Sequence, residues 1–156
     1  MDIEGKVGVI TGAASGIGRA AAIELQKHKI KALALVDLSD AVLELAHEIN
    51  KLRGKTVATG FQGDTTDPVF RKRVFETMRT QHGPVNICVP AAGITRDALA
   101  VRLNKEKGTA NIYPIENFRQ VVEVNLIAPT YWAMEMVAQL AESRFSKGLK
   151  KWDPIE

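Results

Sequence analysis

Cysteine is nearly absent from this sequence, and long apolar runs are absent altogether. The one cysteine, Cys88, cannot form an internal disulfide, and its place in an apolar run predicts a small buried core residue rather than a nucleophile. No run approaches the roughly 20 apolar residues that a membrane-spanning helix needs. The N-terminal residues also lack the pattern of a signal peptide. We therefore expect a cytoplasmic protein that does not interact with a membrane.

An excess of charge of one sign is also missing. The formal net charge is +3, from 21 lysines and arginines against 18 aspartates and glutamates. The basic residues are spread along the chain apart from Lys147, Lys150 and Lys151, which we interpret as a solvated cluster rather than a phosphate-backbone site. The three histidines lie far apart, without the spacing of metal ligands. The sequence thus predicts neither nucleic-acid binding nor a metal site.

What the sequence does contain is an alternation of short apolar runs and longer amphipathic ones. Hydrophobic residues make up 46% and charged residues 25%, as in soluble globular proteins. The runs predict strands at 6–11, 32–37, 56–62 and 85–90, and helices at 17–29, 40–52, 68–81 and 118–144. Alternation of this kind is typical of parallel βαβ units in an α/β protein, and 156 residues suit a single domain over residues 1–156.

Local signals refine this interpretation of the sequence. Ser39 is the predicted N-cap of the second helix, and Gly54 is its predicted C-terminal stop. The stretch 93–116 is expected to be mostly loop, because its glycine, asparagine and proline residues interrupt any period. A kink in the last helix is expected near Pro129.

A glycine-rich segment, TGAASGIG at 11–18, follows the first predicted strand and opens the first predicted helix. Gly12 permits a backbone conformation that side chains disfavour. Gly16 leaves room for a pyrophosphate to approach the main chain, and Gly18 lets the helix pack closely on the strand. The strand–turn–helix context favours nucleotide binding over a turn without a ligand.

The start of that helix offers further groups to phosphates. Its N-terminus presents N–H groups without helical partners and a partial positive charge. Ser15 can add a hydroxyl donor, and Arg19 can place a positive charge nearby. Within the segment, the candidate cofactor-binding residues are Gly12, Ser15, Gly16, Ile17 and Gly18.

Asp37 ends the second predicted strand and is a further candidate for cofactor binding. A carboxylate there can accept hydrogen bonds from the adenosine ribose hydroxyls, and it would repel the additional phosphate of NADP. The next residues are Leu38 and Ser39, so no cation follows to attract that phosphate. We therefore predict NAD as the cofactor rather than NADP. A role for Asp37 as an acidic cap of the next helix remains open and is compatible with this one.

Several motifs in order resemble those of the short-chain dehydrogenase/reductase family. TGAASGIG is similar to the glycine motif of the family, and Asp64 matches the acidic residue that contacts the adenine. Ala91, Ala92 and Gly93 match the family motif Asn-Ala-Gly, with Ala91 in place of the asparagine. Asn125 matches the asparagine of the catalytic tetrad. From the alanine at 91 we expect a looser loop without loss of cofactor binding.

The resemblance implies a Rossmann-type doubly wound parallel sheet with strand order 3-2-1-4. It also implies an NAD(H)-dependent oxidoreductase that interconverts a secondary alcohol and a ketone. The segment GITRD at 93–97 is further similar to 3-oxoacyl-acyl-carrier-protein reductases and to related hydroxyacyl or hydroxysteroid dehydrogenases. A 3-oxoacyl or 3-hydroxyacyl compound is therefore one expected substrate.

The tetrad of the family also includes a serine, a tyrosine and a lysine four residues after the tyrosine. Tyr113 is followed at that distance by Asn117, and Tyr131 by Glu135, so only Asn125 has a counterpart. We therefore expect the domain to be incomplete at its C-terminus, after the long helix, and the chain to be inactive alone. A homo-oligomer or a complementing C-terminal chain is the expected partner. The alternative is a non-catalytic nucleotide-binding or interaction module that pairs with another chain.

Overall fold

Four parallel strands form the central sheet of the protein. The computed structural model describes residues 2–150. The strands run in the order β3-β2-β1-β4, which confirms the order expected from the resemblance. Their bounds are β1 Val7–Thr11, β2 Ala32–Asp37, β3 Ala58–Gln62 and β4 Ile87–Pro90.

Helices cover both faces of this sheet. Their bounds are α1 Gly16–Lys27, α2 Ala41–Arg53, α3 Pro68–His82, α4 Ile115–Val122 and α5 Ala128–Ser146. Successive residues of a strand point to opposite faces, so Ile10 and Leu35 pack with α1 and α2. Val9 and Val36 pack with α3 and with Trp132 of α5. Burial on both faces explains why β1 and β2 are almost continuously apolar in sequence.

Strand β4 pairs with β1 and lies at one edge of the described sheet. Cys88, in the middle of this strand, is only half-buried, so the prediction of a buried core cysteine is wrong in degree. A strand at the edge is covered less completely than one in the centre. Burial still raises the pKa of the Cys88 thiol from 9.0 to about 11. The thiol is therefore protonated at neutral pH, which makes it a poor nucleophile.

The sequence placed the main elements correctly but missed some of their ends. Strand β3 begins two residues later than predicted, where Asn50 Oδ1 accepts the Val57 and Ala58 N–H groups at 2.7 and 2.8 Å. Helix α2 has Asp40, not Ser39, at its N-cap position. Ser39 Oγ nevertheless accepts the Ala41 N–H at 3.3 Å.

The C-terminus of α2 and the irregularity before α5 lie close to where the sequence predicted them. Gly54 ends α2 with a left-handed φ of +65°, as expected for a C-terminal glycine. The irregularity expected near Pro129 is a π-helical turn, Glu123–Ile127, between α4 and α5. Its Ala128 N–H donates to the carbonyl of Glu123. Pro129 has no N–H to give the carbonyl of Asn125, which explains the loss of regular helix at this point.

The segment 93–116 departs most from the prediction of a loop. It contains an antiparallel hairpin of β5, Val101–Asn104, and β6, Thr109–Ile112. Asn104 Oδ1 accepts two N–H groups within the turn, from Glu106 and Lys107, at 3.0 and 3.1 Å. Of the residues that suggested a loop, Gly108 lies in the turn of this hairpin, Asn111 lies in β6 and Pro114 directly precedes α4.

The lysines near the end of the described chain were predicted to form a solvated cluster. Lys147 and Lys150 are exposed, as predicted for a solvated cluster, whereas Lys151 lies outside the described residues. Among residues 2–150, no helix is long and apolar enough to cross a membrane. In the same range, no group of three or more potential ligands could hold a metal ion.

Candidate functional site

A cleft of about 620 Å³ lies at the carboxyl ends of the central strands. It opens where the chain leaves β1, β2 and β4, and where the connection after β3 passes beside Asp37. In doubly wound sheets this edge is the usual position of a ligand. Nine of the predicted cofactor-binding residues line it: Gly12, Ser15, Gly16, Ile17, Asp37, Asp64, Ala91, Ala92 and Gly93. Gly18 and Asn125 are not among the lining residues.

The three glycines of the turn after β1 differ in how much room a side chain would have. Gly12 has a φ of +66°, and a Cβ there would lie 2.7 Å from the backbone of Ala92. Gly16 has a φ of +51°, and a Cβ there would meet open space. Gly18 is buried in α1, where a Cβ would lie 2.1 Å from the carbonyl oxygen of Gly12. The turn therefore packs closely against its surroundings on one side and leaves main chain open on the other.

The N-terminus of α1 faces this cleft without a side-chain cap. Ser15 occupies the N-cap position, and its hydroxyl makes no capping bond within the described chain. The first turn also contains no acidic side chain. The first N–H groups of a helix have no intrahelical acceptor, so this end can bind an anion. Arg19, by contrast, pairs with Glu48 at 3.2 Å and does not line the cleft, contrary to expectation.

Asp37 connects the end of β2 to the glycine turn. Its Oδ2 accepts the Ala14 N–H at 2.9 Å, and its Oδ1 accepts the Ser39 N–H at 3.0 Å. The bond to Ser39 lies outside α2, so the alternative role as a cap of that helix is wrong. An ionised carboxylate has about four acceptor positions, and two remain for ligand hydroxyls. Asp37 can therefore hold the turn and bind a ribose together.

The connection after β3 forms the adjoining wall. Asp64 Oδ1 accepts both the N–H and the hydroxyl of Thr66 at 2.8 Å. The Gly63 N–H donates to the carbonyl of Asp37 at 2.8 Å, which ties this wall to the end of β2. Thr65 is buried, and its carbonyl accepts the indole N–H of Trp132 at 2.9 Å. These bonds hold Asp64 at the edge of the cleft.

The loop after β4 is held by hydrogen bonds to Thr11 and to Asn125. Thr11 accepts the Ala91 N–H through its carbonyl and the Ala92 N–H through its hydroxyl, both at 3.2 Å. The amide of Asn125 donates to the carbonyl of Ile94 at 2.8 Å and accepts the Ile94 N–H at 2.9 Å. That Ala91 makes the loop looser than an asparagine would stays a prediction. Asn125 acts on the cleft through this loop.

Sequence reasoning missed part of the site. Thr11 could have been recognised as a polar residue at the end of an apolar strand, directly before the glycine turn. Nothing in the sequence indicated that Trp132 contacts the wall of the cleft. Apolar spacing in a helix predicts that a residue is buried, but it does not predict which group accepts the indole N–H. The further lining residues that were not predicted are Leu38, Gly63, Thr65, Ile94, Arg96, Gln120 and Val124.

Neither tyrosine has a lysine four residues after it, and each contacts another part of the chain. The Tyr113 hydroxyl donates to the carbonyl of Arg96 at 2.5 Å. The guanidinium of Arg71 lies 5.2 Å from the centre of the Tyr131 ring. Both tyrosines therefore bind protein groups in this structure.

Comparison with known proteins decides the family. Residues 6–148 match the family model described as short chain dehydrogenase. The chain belongs to the short-chain dehydrogenase family. It is 37% identical over 127 residues to a 3-oxoacyl-[acyl-carrier-protein] reductase from Thermotoga maritima, covering 78% of this chain and 50% of that one. The corresponding reductase from Escherichia coli K12 is 32% identical over 126 residues, covering 81% and 46%.

A solved structure shows the same fold. A short-chain type dehydrogenase/reductase from Mycobacterium marinum superposes with a TM-score of 0.74 at 24% identity, covering 91% of this chain and 51% of that one. This short-chain dehydrogenase chain spans about half the length of the two reductases named above.

Replacing Asn125 with alanine is expected to lower the free energy of unfolding by about 1–2 kcal/mol, because two hydrogen bonds to Ile94 are lost. Urea denaturation measures this effect. Asn111→Ala, on the exposed face of the hairpin, is the matched control and should leave the midpoint unchanged. Equal midpoints for the two variants would show that the Asn125 amide does not anchor the loop.

Proposed function

We propose that this chain is the cofactor-binding portion of an NAD(H)-dependent oxidoreductase that interconverts a secondary alcohol and a ketone. The observation that carries the proposal is the pairing of a glycine turn and open helix N-terminus with the Asp37 carboxylate along one cleft. The glycine turn and α1 would hold the pyrophosphate, and Asp37 would hold the adenosine ribose. The bound nicotinamide would supply or accept the hydride.

The predicted residues fit such a cofactor. Gly16 presents main chain to open space where a pyrophosphate would approach, while Gly12 and Gly18 leave no room for a side chain. Asp64 would contact the adenine, beside the ribose site at Asp37. Ala91, Ala92 and Gly93 would line the nicotinamide side, where Asn125 holds the adjoining Ile94.

The charges along the cleft favour NAD over NADP. The charged residues of the lining are Asp37, Asp64 and Arg96, and Arg96 lies on the loop after β4 rather than beside Asp37. A ribose 2′-phosphate about 5 Å from the Asp37 carboxylate would be repelled by roughly 1–3 kcal/mol. Leu38, which follows Asp37, offers no compensating charge.

Titration of the purified chain with NADH and NADPH by calorimetry tests this preference. We expect NADH to bind about ten times more tightly, since roughly 1.4 kcal/mol of repulsion corresponds to a factor of ten. ADP-ribose and its 2′-phosphate are a matched ligand pair that isolates the effect of the phosphate. Equal or tighter binding of the phosphorylated forms would reject NAD specificity, and absence of binding by all four would reject the nucleotide site.

The proposed class of substrate rests on similarity to known proteins. The GITRD segment and the relatives named as 3-oxoacyl-[acyl-carrier-protein] reductases favour a 3-oxoacyl or 3-hydroxyacyl thioester. We further propose that the serine, tyrosine and lysine of the reaction lie in a region beyond this sequence.

One observation favours a second candidate, a non-catalytic nucleotide-binding module that pairs with another chain. Apolar side chains are exposed along the helical segment from α4 to α5: Ile115, Phe118, Leu126, Ile127, Tyr131, Met134, Val137 and Phe145. A second copy of the chain or a complementing C-terminal chain would cover them. The intact mass of the protein from its natural source separates the two candidates. A mass above that of 156 residues supports the oxidoreductase, and an equal mass supports the module.

A further inference from the structure

Trp132 is the largest fully buried side chain of the described residues. It projects from α5 and packs against two aromatic rings of α3, with its ring centre 6.5 Å from that of Phe70 and 5.6 Å from that of Phe75. Its indole N–H donates to the carbonyl of Thr65 at 2.9 Å in a buried environment. An aromatic ring enclosed in this way has little freedom to turn, so the direction of its N–H is determined by the packing.

The acceptor of this bond belongs to residues 63–67, here called the 63–67 segment, which forms the wall of the cleft after β3. Other bonds of the segment are short-range or run to β2. The Asp67 N–H donates to the carbonyl of Asp64 at 3.2 Å, and the Gly63 N–H donates to that of Asp37. The bond from Trp132 joins the segment to α5, across 67 positions of sequence.

We infer that Trp132 is a positioning residue for the adenine side of the cleft, an assignment that rests on the proposed dinucleotide binding. The hydrogen bond determines the orientation of the peptide group between Thr65 and Thr66. Asp64 and Thr65, which line the cleft, take their positions from that peptide group. A phenylalanine would fill most of the same volume but would leave the Thr65 carbonyl buried without its donor.

Trp132→Phe is the variant that removes this donor while keeping an aromatic ring. We expect its affinity for ADP-ribose and for NADH to fall about three- to tenfold, the effect of one buried hydrogen bond. Phe75→Leu is the matched control, because Phe75 packs against Trp132 but makes no polar contact with the 63–67 segment. This control should lose thermal stability while retaining the affinity of the unaltered chain.

Hydrogen exchange followed by mass spectrometry gives a second measurement that needs no ligand. Peptides covering the 63–67 segment should exchange faster in Trp132→Phe than in Phe75→Leu when both are compared at equal stability in urea. If Trp132→Phe does not fold, the tryptophan analogue benzothienylalanine can be placed at position 132, where it removes the N–H and preserves the shape of the ring. The second tryptophan is first replaced by Trp152→Phe, so that the analogue enters at position 132 alone.

Unchanged affinity and unchanged exchange in Trp132→Phe would overturn the assignment. Equal losses in Trp132→Phe and Phe75→Leu would also overturn it, because packing alone would then account for both. If the unaltered chain bound neither ADP-ribose nor NADH, the proposed function would fail. The exchange measurement would then still decide whether Trp132 holds the 63–67 segment.

Discussion

Gly18→Ala is expected to abolish dinucleotide binding and to lower the free energy of unfolding by about 2 kcal/mol. The added Cβ would lie 2.1 Å from the carbonyl oxygen of Gly12 and 2.7 Å from its carbonyl carbon. Both are main-chain atoms of the turn that faces the cleft. They cannot move aside like the end of a flexible side chain, so either α1 or the turn must shift.

Helix propensity alone predicts that Gly18→Ala would raise the free energy of unfolding. Alanine in the interior of a helix is favoured over glycine by roughly 0.5–1 kcal/mol. Overpacking a close contact costs about 1–3 kcal/mol, and at 2.1 Å the cost belongs at the upper end of that range. The steric effect therefore dominates, and its main consequence is displacement of the groups that would receive the pyrophosphate.

Urea denaturation and NADH titration of the same samples test this prediction. Ala20→Gly is the matched control, because Ala20 lies on the exposed side of α1. It should cost about 0.5–1 kcal/mol of stability and leave binding intact. If Gly18→Ala bound NADH as tightly as the unaltered chain, the close packing of α1 on the turn would be irrelevant to the site.

The double variant Asp37→Ser, Leu38→Arg is expected to bind NADPH more tightly than NADH. Removing the carboxylate would eliminate both its repulsion of a 2′-phosphate and the proposed bonds to the ribose of NAD. A guanidinium at position 38 supplies a partner whose geometry matches a phosphate. Loss of a hydrogen bond to a charged group costs about 1.5–3 kcal/mol, so NADH affinity should fall about 10- to 100-fold.

The Asp37 carboxylate also holds the Ala14 N–H, so part of that loss would come from the glycine turn itself. Asp37→Ala alone should weaken NADH binding and narrow the difference from NADPH. Asp37→Asn separates the two effects, since its amide oxygen can still accept from Ala14 while the charge is gone. Leu43→Arg, on α2 outside the cleft lining, controls for added charge. Unchanged preference in the double variant would show that the ribose lies elsewhere.

Much of the fold could be predicted because its strongest signals are local. Strand β2 was placed at its observed bounds, since a strand buried on both faces is a continuous apolar run ended by a charge. The glycine turn was recognised from its position between a strand and a helix. The hairpin after β4 was missed, because its strands are four residues long and their turn residues resembled those of a loop.

The sequence by itself determined the family, the α/β alternation and nine of the residues that line the cleft. These follow from periodicity, from glycine spacing and from the order of the motifs. The tertiary structure alone decided how the walls of the cleft are held: Asp37 on Ala14, Asn125 on Ile94 and Trp132 on Thr65. These partners lie 23, 31 and 67 positions apart, and only the packing of helices on the sheet brings them within hydrogen-bonding distance. A hydrogen bond depends on tenths of an ångström and on direction, which a pattern of residue types does not specify.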